Sequence, residues 1–217
     1  QGGQTIGIGG NVIVKDGNFV FSYAPSSSSK VIIEGDLIIQ GSSAAKATIA
    51  SQNNSAGSSV DLKGNLDVSG TTFLTSVDKT NNYLRFIGPS DSTNPQTIDF
   101  DLTDPINTAV DIEILSGAYV KIINQNFRLG TDSKVKVKAG GTFDFGFDGV
   151  NGAGTTPLNL TEIGTPTGTR FELLDQGTIK ITNTAGVDKD IADMIGNVQI
   201  SGSRSFSQIA TFWYIGK

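Results

Sequence analysis

A short phrase returns along this chain and restricts its fold more than any other feature. Gly10-Asn11-Val12-Ile13-Val14, Gly35-Asp36-Leu37-Ile38-Ile39 and Gly64-Asn65-Leu66-Asp67-Val68 share one form: glycine, then Asn or Asp, then a strand with apolar residues at alternate positions. Gly196-Asn197-Val198-Gln199-Ile200 has the same form. The first two intervals are 25 and 29 residues. Return at such an interval marks a repeat architecture in which each unit leans on its neighbours. A second phrase, glycine followed by a strand with an aromatic or branched residue, starts at Gly17, Gly70, Gly117, Gly141 and Gly177. A third, Gln-Thr-Ile, occurs at Gln4 and at Gln96.

Period-two alternation predicts short strands at 18–21, 31–33, 37–39, 60–62, 73–74, 84–87 and 97–100. Further strands are expected at 110–114, 119–122, 127–129, 135–137, 143–145, 171–173, 178–181, 198–200 and 211–215. Helical periodicity is nearly absent; a turn or two is expected at 188–195, where Ile191, Met194 and Ile195 share a face. The pattern implies coils of two or three strands joined by corners. Gly, Asn and Asp at corners tolerate positive φ. Corresponding strands then pair in parallel, about 4.8 Å apart, and eight or nine coils make a rod of roughly 40 Å. Asn11, Asp36 and Asn65 are placed to form a ladder, each side chain bonding the backbone of the next coil.

The expected fold is therefore all-β: a parallel β-helix, or β-solenoid, right-handed, with protruding loops. An antiparallel sandwich also yields many short strands, but gives no reason for recurring phrases. Residues 1–145 read as coils, 146–170 as a loop or joint rich in Gly, Thr and Pro, and 171–217 as further coils continuing toward a missing C-terminal part. Residues 88–95 read as a protruding loop and 182–190 as a polar one. Loops gathered on one face of a solenoid are where binding is found. The chain opens at Gln1 directly in repeat-like sequence, as a segment of something longer would.

Composition narrows the chemistry. Histidine and cysteine are both absent. The commonest general base, the usual zinc ligands and a Ser-His-Asp arrangement go with them. No phosphate-cradling or dinucleotide motif occurs. The net charge of −5 shows no basic stripe for nucleic acid. No apolar run approaches the length of a membrane span. No cofactor is expected.

The C-terminal passages carry a resemblance. Thr178-Ile179-Lys180-Ile181-Thr182, Gly186-Val187, the stretch from Gly196 to Phe206 and Ala210-Thr211-Phe212-Trp213-Tyr214-Ile215-Gly216 resemble a recurring passage in very long surface proteins of Bacteroidota. These are exported by the type IX secretion system and include adhesins of gliding bacteria. The stretches beginning at Gly35, Gly64 and Ile114 resemble the β-helical repeats of the same group. The resemblance implies a parallel β-helix, an extracellular or cell-surface location, and an adhesive or structural role.

Several side chains are candidates for more. Asp99, Asp101 and Asp104 cluster, with Asp99 and Asp101 on one strand face; they are weak candidates for a cation site or a glycosidase-like pair. Asp144 and Asp148 straddle Gly146 near a loop and are likewise candidates to touch a cation, though the Gly-rich calcium nonapeptide pattern is missing. Lys134, Lys136 and Lys138 alternate with Ser133, Val135 and Val137 and point outward, toward an acidic glycan or simply toward solvent. Phe19, Phe21, Phe143 and Phe145 read as core. Trp213 falls opposite Phe212 and Tyr214, so Trp213 and Tyr214 are candidate contacts to a sugar ring or to a neighbouring module.

The expected function is a non-catalytic, stiff spacer or filament part in a large secreted or surface-anchored bacterial protein. Its expected partners are neighbouring modules or other copies, with surface glycans as a further possibility. The alternative is a carbohydrate-binding or polysaccharide-degrading β-helix protein.

Overall fold

A computed structural model describes residues 5–21, 29–41, 46–49, 58–69, 73–76, 82–101, 110–130, 133–148, 153–162, 168–187 and 196–216. The described residues form strands and connections, with no helix. The short helix expected at 188–195 lies outside them.

Two eight-stranded sheets run the length of the molecule. The first stacks β1 (Thr5–Ile8), β4 (Lys30–Ile33), β7 (Ser59–Leu62), β10 (Tyr83–Phe86), β12 (Asp111–Ile114), β15 (Val135–Val137), β18 (Thr169–Leu173) and β20 (Ser203–Phe206). The second stacks β2 (Val12–Val14), β5 (Leu37–Ile39), β8 (Leu66–Ser69), β11 (Gln96–Asp101), β13 (Tyr119–Ile123), β16 (Thr142–Asp144), β19 (Thr178–Ile181) and β21 (Thr211–Tyr214). Each coil gives one strand to each sheet, and neighbours in both sheets pair in parallel. A third side is paired in two stretches. One holds β3 (Asn18–Phe21), β6 (Lys46–Ile49) and β9 (Phe73–Ser76); the other holds β14 (Phe127–Leu129) and β17 (Leu160–Glu162), extended by a parallel bridge from Leu160 to Val198. This is the stacking of a parallel β-helix. Its eight coils span roughly 34 Å at the usual strand spacing.

Register shows how unequal coils still stack. Ile112 pairs with Val135, 23 residues on, and Val135 with Phe171, 36 residues on. The sheets absorb these differences because the extra chain lies in corners. The stretch 146–170 contributes β17 to the sixth coil, and both main sheets pair straight past it.

The core is a set of stacked rows. Ile33, Leu62, Phe86, Ile114, Val137, Leu173 and Phe206 succeed one another in register on the first sheet. Val12, Leu37, Leu66, Ile98 and Ile122 do so on the second. Nearly all are fully buried, each contributing about 1.5–3 kcal/mol of apolar burial. Aromatic rings fill the later coils, where Phe143 meets Phe145 at 5.0 Å and Phe171 meets Phe206 at 5.7 Å.

The recurring phrase now has a physical reason. Asn11 Oδ1 accepts the Asp36 N–H (2.8 Å), Asp36 Oδ1 accepts the Asn65 N–H (2.7 Å), and Asn65 Oδ1 accepts the Thr97 N–H (2.8 Å). The expected ladder forms and runs one coil further. The glycine ahead of it serves close approach rather than positive φ. A Cβ on Gly35 would lie 2.1 Å from Asn11 Oδ1, and one on Gly64 would lie 2.4 Å from the Gly35 carbonyl. The copy at Gly196 is different. Its φ is 106°, and Asn197 sits on the third side rather than before a strand of the second sheet.

Candidate functional site

The two long sheets present different outer surfaces. On the first, Asp61, Arg85, Glu113, Lys136 and Glu172 follow one another in register. Charges of opposite sign thus stack coil on coil. Arg85 Nε meets Glu113 Oε2 at 2.8 Å, Lys138 Nζ meets Glu113 Oε1 at 3.0 Å, and Lys136 Nζ meets Glu172 Oε2 at 3.1 Å. Burial pushes Glu113 up, but the bonds from Lys138 and Arg85 outweigh it and hold its carboxyl below the usual range. Burial pushes Asp111 up to about 6, against the pull of Lys134. The Lys134, Lys136 and Lys138 row does face outward, as expected, but its charges are met by Asp111, Glu113 and Glu172. It is a neutralised ladder rather than a free basic strip.

The second sheet carries a trough of about 620 Å³ along the rod axis. Its floor is the outward column Thr97, Lys121, Asp144 and Lys180, one residue per coil, which Trp213 continues in the last coil. Ser92, Thr93, Asn94 and Pro95 wall one side; Ile123, Gly146, Phe147 and Ile215 wall the other. The expected loop at 88–95 thus has a place beside this trough.

That wall is held in shape. Asp91 Oδ1 accepts the N–H groups of Thr93 (2.8 Å) and Asn94 (3.0 Å). Gln96 occupies an inward position and is 3% exposed; its Nε2 donates to the carbonyls of Leu62 (2.9 Å) and Gly64 (3.0 Å), and its Oε1 accepts the Gly88 N–H (3.2 Å). Ser90 Oγ accepts the Tyr119 N–H at 2.7 Å.

In the floor, Asp144 is fully engaged. Its Oδ2 accepts the Tyr119 hydroxyl (2.6 Å) and lies 3.0 Å from Lys180 Nζ, while its Oδ1 accepts the Gly146 N–H (2.9 Å). Lys180 Nζ also donates to the Tyr119 hydroxyl (2.5 Å) and lies 5.0 Å from the Trp213 ring centre. Burial, the bond to Asp144 and that carboxylate's charge all push the Tyr119 phenol above its ordinary pKa. These groups hold one another. Lys121 stands apart: no carboxylate among the described residues pairs with it.

Of the acidic candidates, Asp99 and Asp101 lie two residues apart on β11. Asp99 Oδ2 accepts from Asn124 Nδ2 at 2.7 Å. Asp101 ends β11, in register with Ser69. Asp104 lies outside the described residues. Asp148 Oδ1 accepts the Thr156 N–H (2.9 Å), which holds its carboxyl below the usual range. Among the described residues, no three His, Cys, Asp or Glu side chains come together to hold a metal ion. Among the described residues no helix is long and apolar enough to cross a membrane.

Trp213 takes an outward position beside Lys180, while Phe212 and Tyr214 continue the inward rows of Ile179 and Ile181. All three are about half exposed. The large exposed apolar residues among those described are Ile6, Ile13, Phe19 and Val20 in the first coil and Ile209, Phe212, Trp213 and Tyr214 in the last. Comparison of the chain with protein-family models, curated proteins and solved structures finds no match.

Proposed function

We propose that this chain is a stiff structural segment, a spacer or filament part, of a large secreted or surface-anchored bacterial protein. One observation carries the reading: among the described residues, the exposed large apolar side chains fall on the two end coils, and several occupy core rows there. Ile6 heads the row that continues through Val31 and Val60. Phe212 and Tyr214 end the rows of Ile179 and Ile181. A side surface of the rod is paired and polar, whereas each end offers core positions and unpaired strand edges to a further coil. The partners that suit such ends are neighbouring coils of the same protein or another copy. The likeness to repeat passages of type IX-exported adhesins, including those of gliding bacteria, supports a cell-surface setting and a part in adhesion.

The role is mechanical. Pulling along the rod loads many parallel strand pairs, each with its own hydrogen bonds and buried row. Single-molecule pulling from the two ends tests this: the segment should resist force and give way in steps of one or a few coils. A chain that extends like an unfolded linker would remove the structural reading. Release of reducing ends or unsaturated products from acidic or neutral polysaccharides would replace it with an enzymatic one.

A further inference from the structure

The trough on the second sheet points to a ligand that the spacer role does not require. We propose that it binds an acidic polysaccharide, with the Lys121 ammonium taking a carboxylate or sulfate and the Phe147 ring lying against a sugar face. The proposal goes beyond the structural reading, which stands whether or not the trough binds.

Three observations converge. First, the charges of the floor are unequal. Lys180 is matched to Asp144 at 3.0 Å, and Asp144 is saturated by Tyr119, Lys180 and Gly146. Lys121, its neighbour in the column, has no carboxylate partner among the described residues. The lining thus holds two lysines against one aspartate, on a chain of net charge −5. On the opposite sheet the corresponding lysines are matched by stacked acids. Second, the walls offer what sugars use. Phe147 is half-buried on one wall, and on the other the Asn94 side-chain amide donates to the Thr93 hydroxyl (3.4 Å). Third, the wall formed by residues 92–95 is held in shape by the Asp91 and Gln96 bonds, so a ligand need not order it.

The shape selects a chain rather than a single sugar. From Thr97 to Lys180 the column crosses three coil steps, about 14 Å. A nucleic acid fits less well, since its closely spaced phosphates call for a row of cations, and here one lysine is unmatched.

The test is titration of the chain with a galacturonate oligomer, a heparin oligosaccharide, a neutral cello-oligosaccharide and a single-stranded DNA oligomer. Calorimetry measures affinity. The fluorescence of Trp213, the sole tryptophan, reports occupancy from the end of the same column. Binding to the galacturonate or heparin oligomer is expected, and which of the two binds identifies the anion. That binding should weaken with added salt. It should fall about tenfold or more in Lys121→Gln, judged by the worth of a charge-assisted hydrogen bond. Phe147→Ala should weaken it too, whereas Lys136→Gln on the opposite sheet should leave it unchanged. Equal unfolding midpoints exclude misfolding of the variants. The proposal is overturned if neither acidic oligomer binds, if the neutral sugar or the DNA binds as tightly, or if Lys121→Gln binds as the wild type does.

Discussion

Replacing Gly64 with alanine places a methyl group where the preceding coil already has backbone. A Cβ there lies 2.4 Å from the Gly35 carbonyl carbon and oxygen and 2.5 Å from Asp36 Oδ1. Non-bonded carbons settle at about 3.5–4.0 Å, so the two coils must part locally by about 1 Å. That parting falls on the Gly64 N–H to Gly35 carbonyl bond (3.1 Å) and the Asn65 N–H to Asp36 Oδ1 bond (2.7 Å). Two bonds at about 1 kcal/mol each, with about 1–3 kcal/mol of overpacking, give a loss of about 3–5 kcal/mol. Gly10 holds the same place in the phrase, but a Cβ there meets nothing within 4 Å, because β2 is the edge strand of its sheet among the described residues. Gly10→Ala should stay within about 0.5 kcal/mol of wild type. Urea unfolding followed by far-UV circular dichroism compares the midpoints. Hydrogen exchange at the Asn65 and Thr97 amides then localises the loss, since repeat arrays need not unfold in one step. The reasoning is refuted if Gly64→Ala unfolds at the wild-type midpoint, or if Gly10→Ala is as damaged as Gly64→Ala.

Two further outcomes follow from buried charge. Asp111 is raised by burial to about 6, above the value of about 3.9 for an unfolded chain, so the folded state binds more protons between these values. Stability should fall as pH rises from about 4 to about 6 and then level off; Asp111→Asn should flatten that interval, and equal slopes in both proteins would contradict the assignment. Arg170 is 1% exposed, with Nε 3.4 Å from Glu162 Oε2 and Nη2 donating to the Gly130 carbonyl at 2.5 Å. Arg170→Ala leaves Glu162 buried without its cation and should cost about 3–5 kcal/mol in denaturant unfolding; a loss under about 1 kcal/mol would contradict that role.

Much of the fold was legible because a solenoid writes its contacts into local alternation. Val31 and Ile33, Leu37 and Ile39, and Val135 and Val137 are inward pairs in sequence and in structure alike. The Asn and Asp ladder was legible too, since equal phrases met at equal corners. The phrase at Gly196 misled, because Asn197 serves a different corner. Its Oδ1 accepts the Thr182 and Asn183 N–H groups, and its Nδ2 donates to the Leu158 carbonyl. β20 escaped notice because Arg204 holds the register position beneath Phe171, where an apolar residue would have signalled a strand. Lys46–Ile49 alternates, but one of its two inward residues is Ala47, too small to mark an apolar face in the sequence. The trough was hidden for another reason. Thr97, Lys121, Asp144 and Lys180 lie 24, 23 and 36 residues apart, so no fixed period aligns them. Asp144 was visible as an acid, but its partner Lys180 becomes a neighbour only through the stacking.

The most direct test uses the absence of cysteine from the chain. Ile38 and Asp67 are register partners on the second sheet, 29 residues apart, and Ile13 and Ile38 are partners one coil earlier. Cysteines at 38 and 67, or at 13 and 38, would have Cα atoms about 5 Å apart, within disulfide range. Both pairs should oxidise readily under mild conditions, whereas cysteines at 13 and 39, shifted by one residue to opposite faces, should not. Failure of both register pairs, with the shifted pair oxidising in their place, would contradict the parallel stacking of the coils.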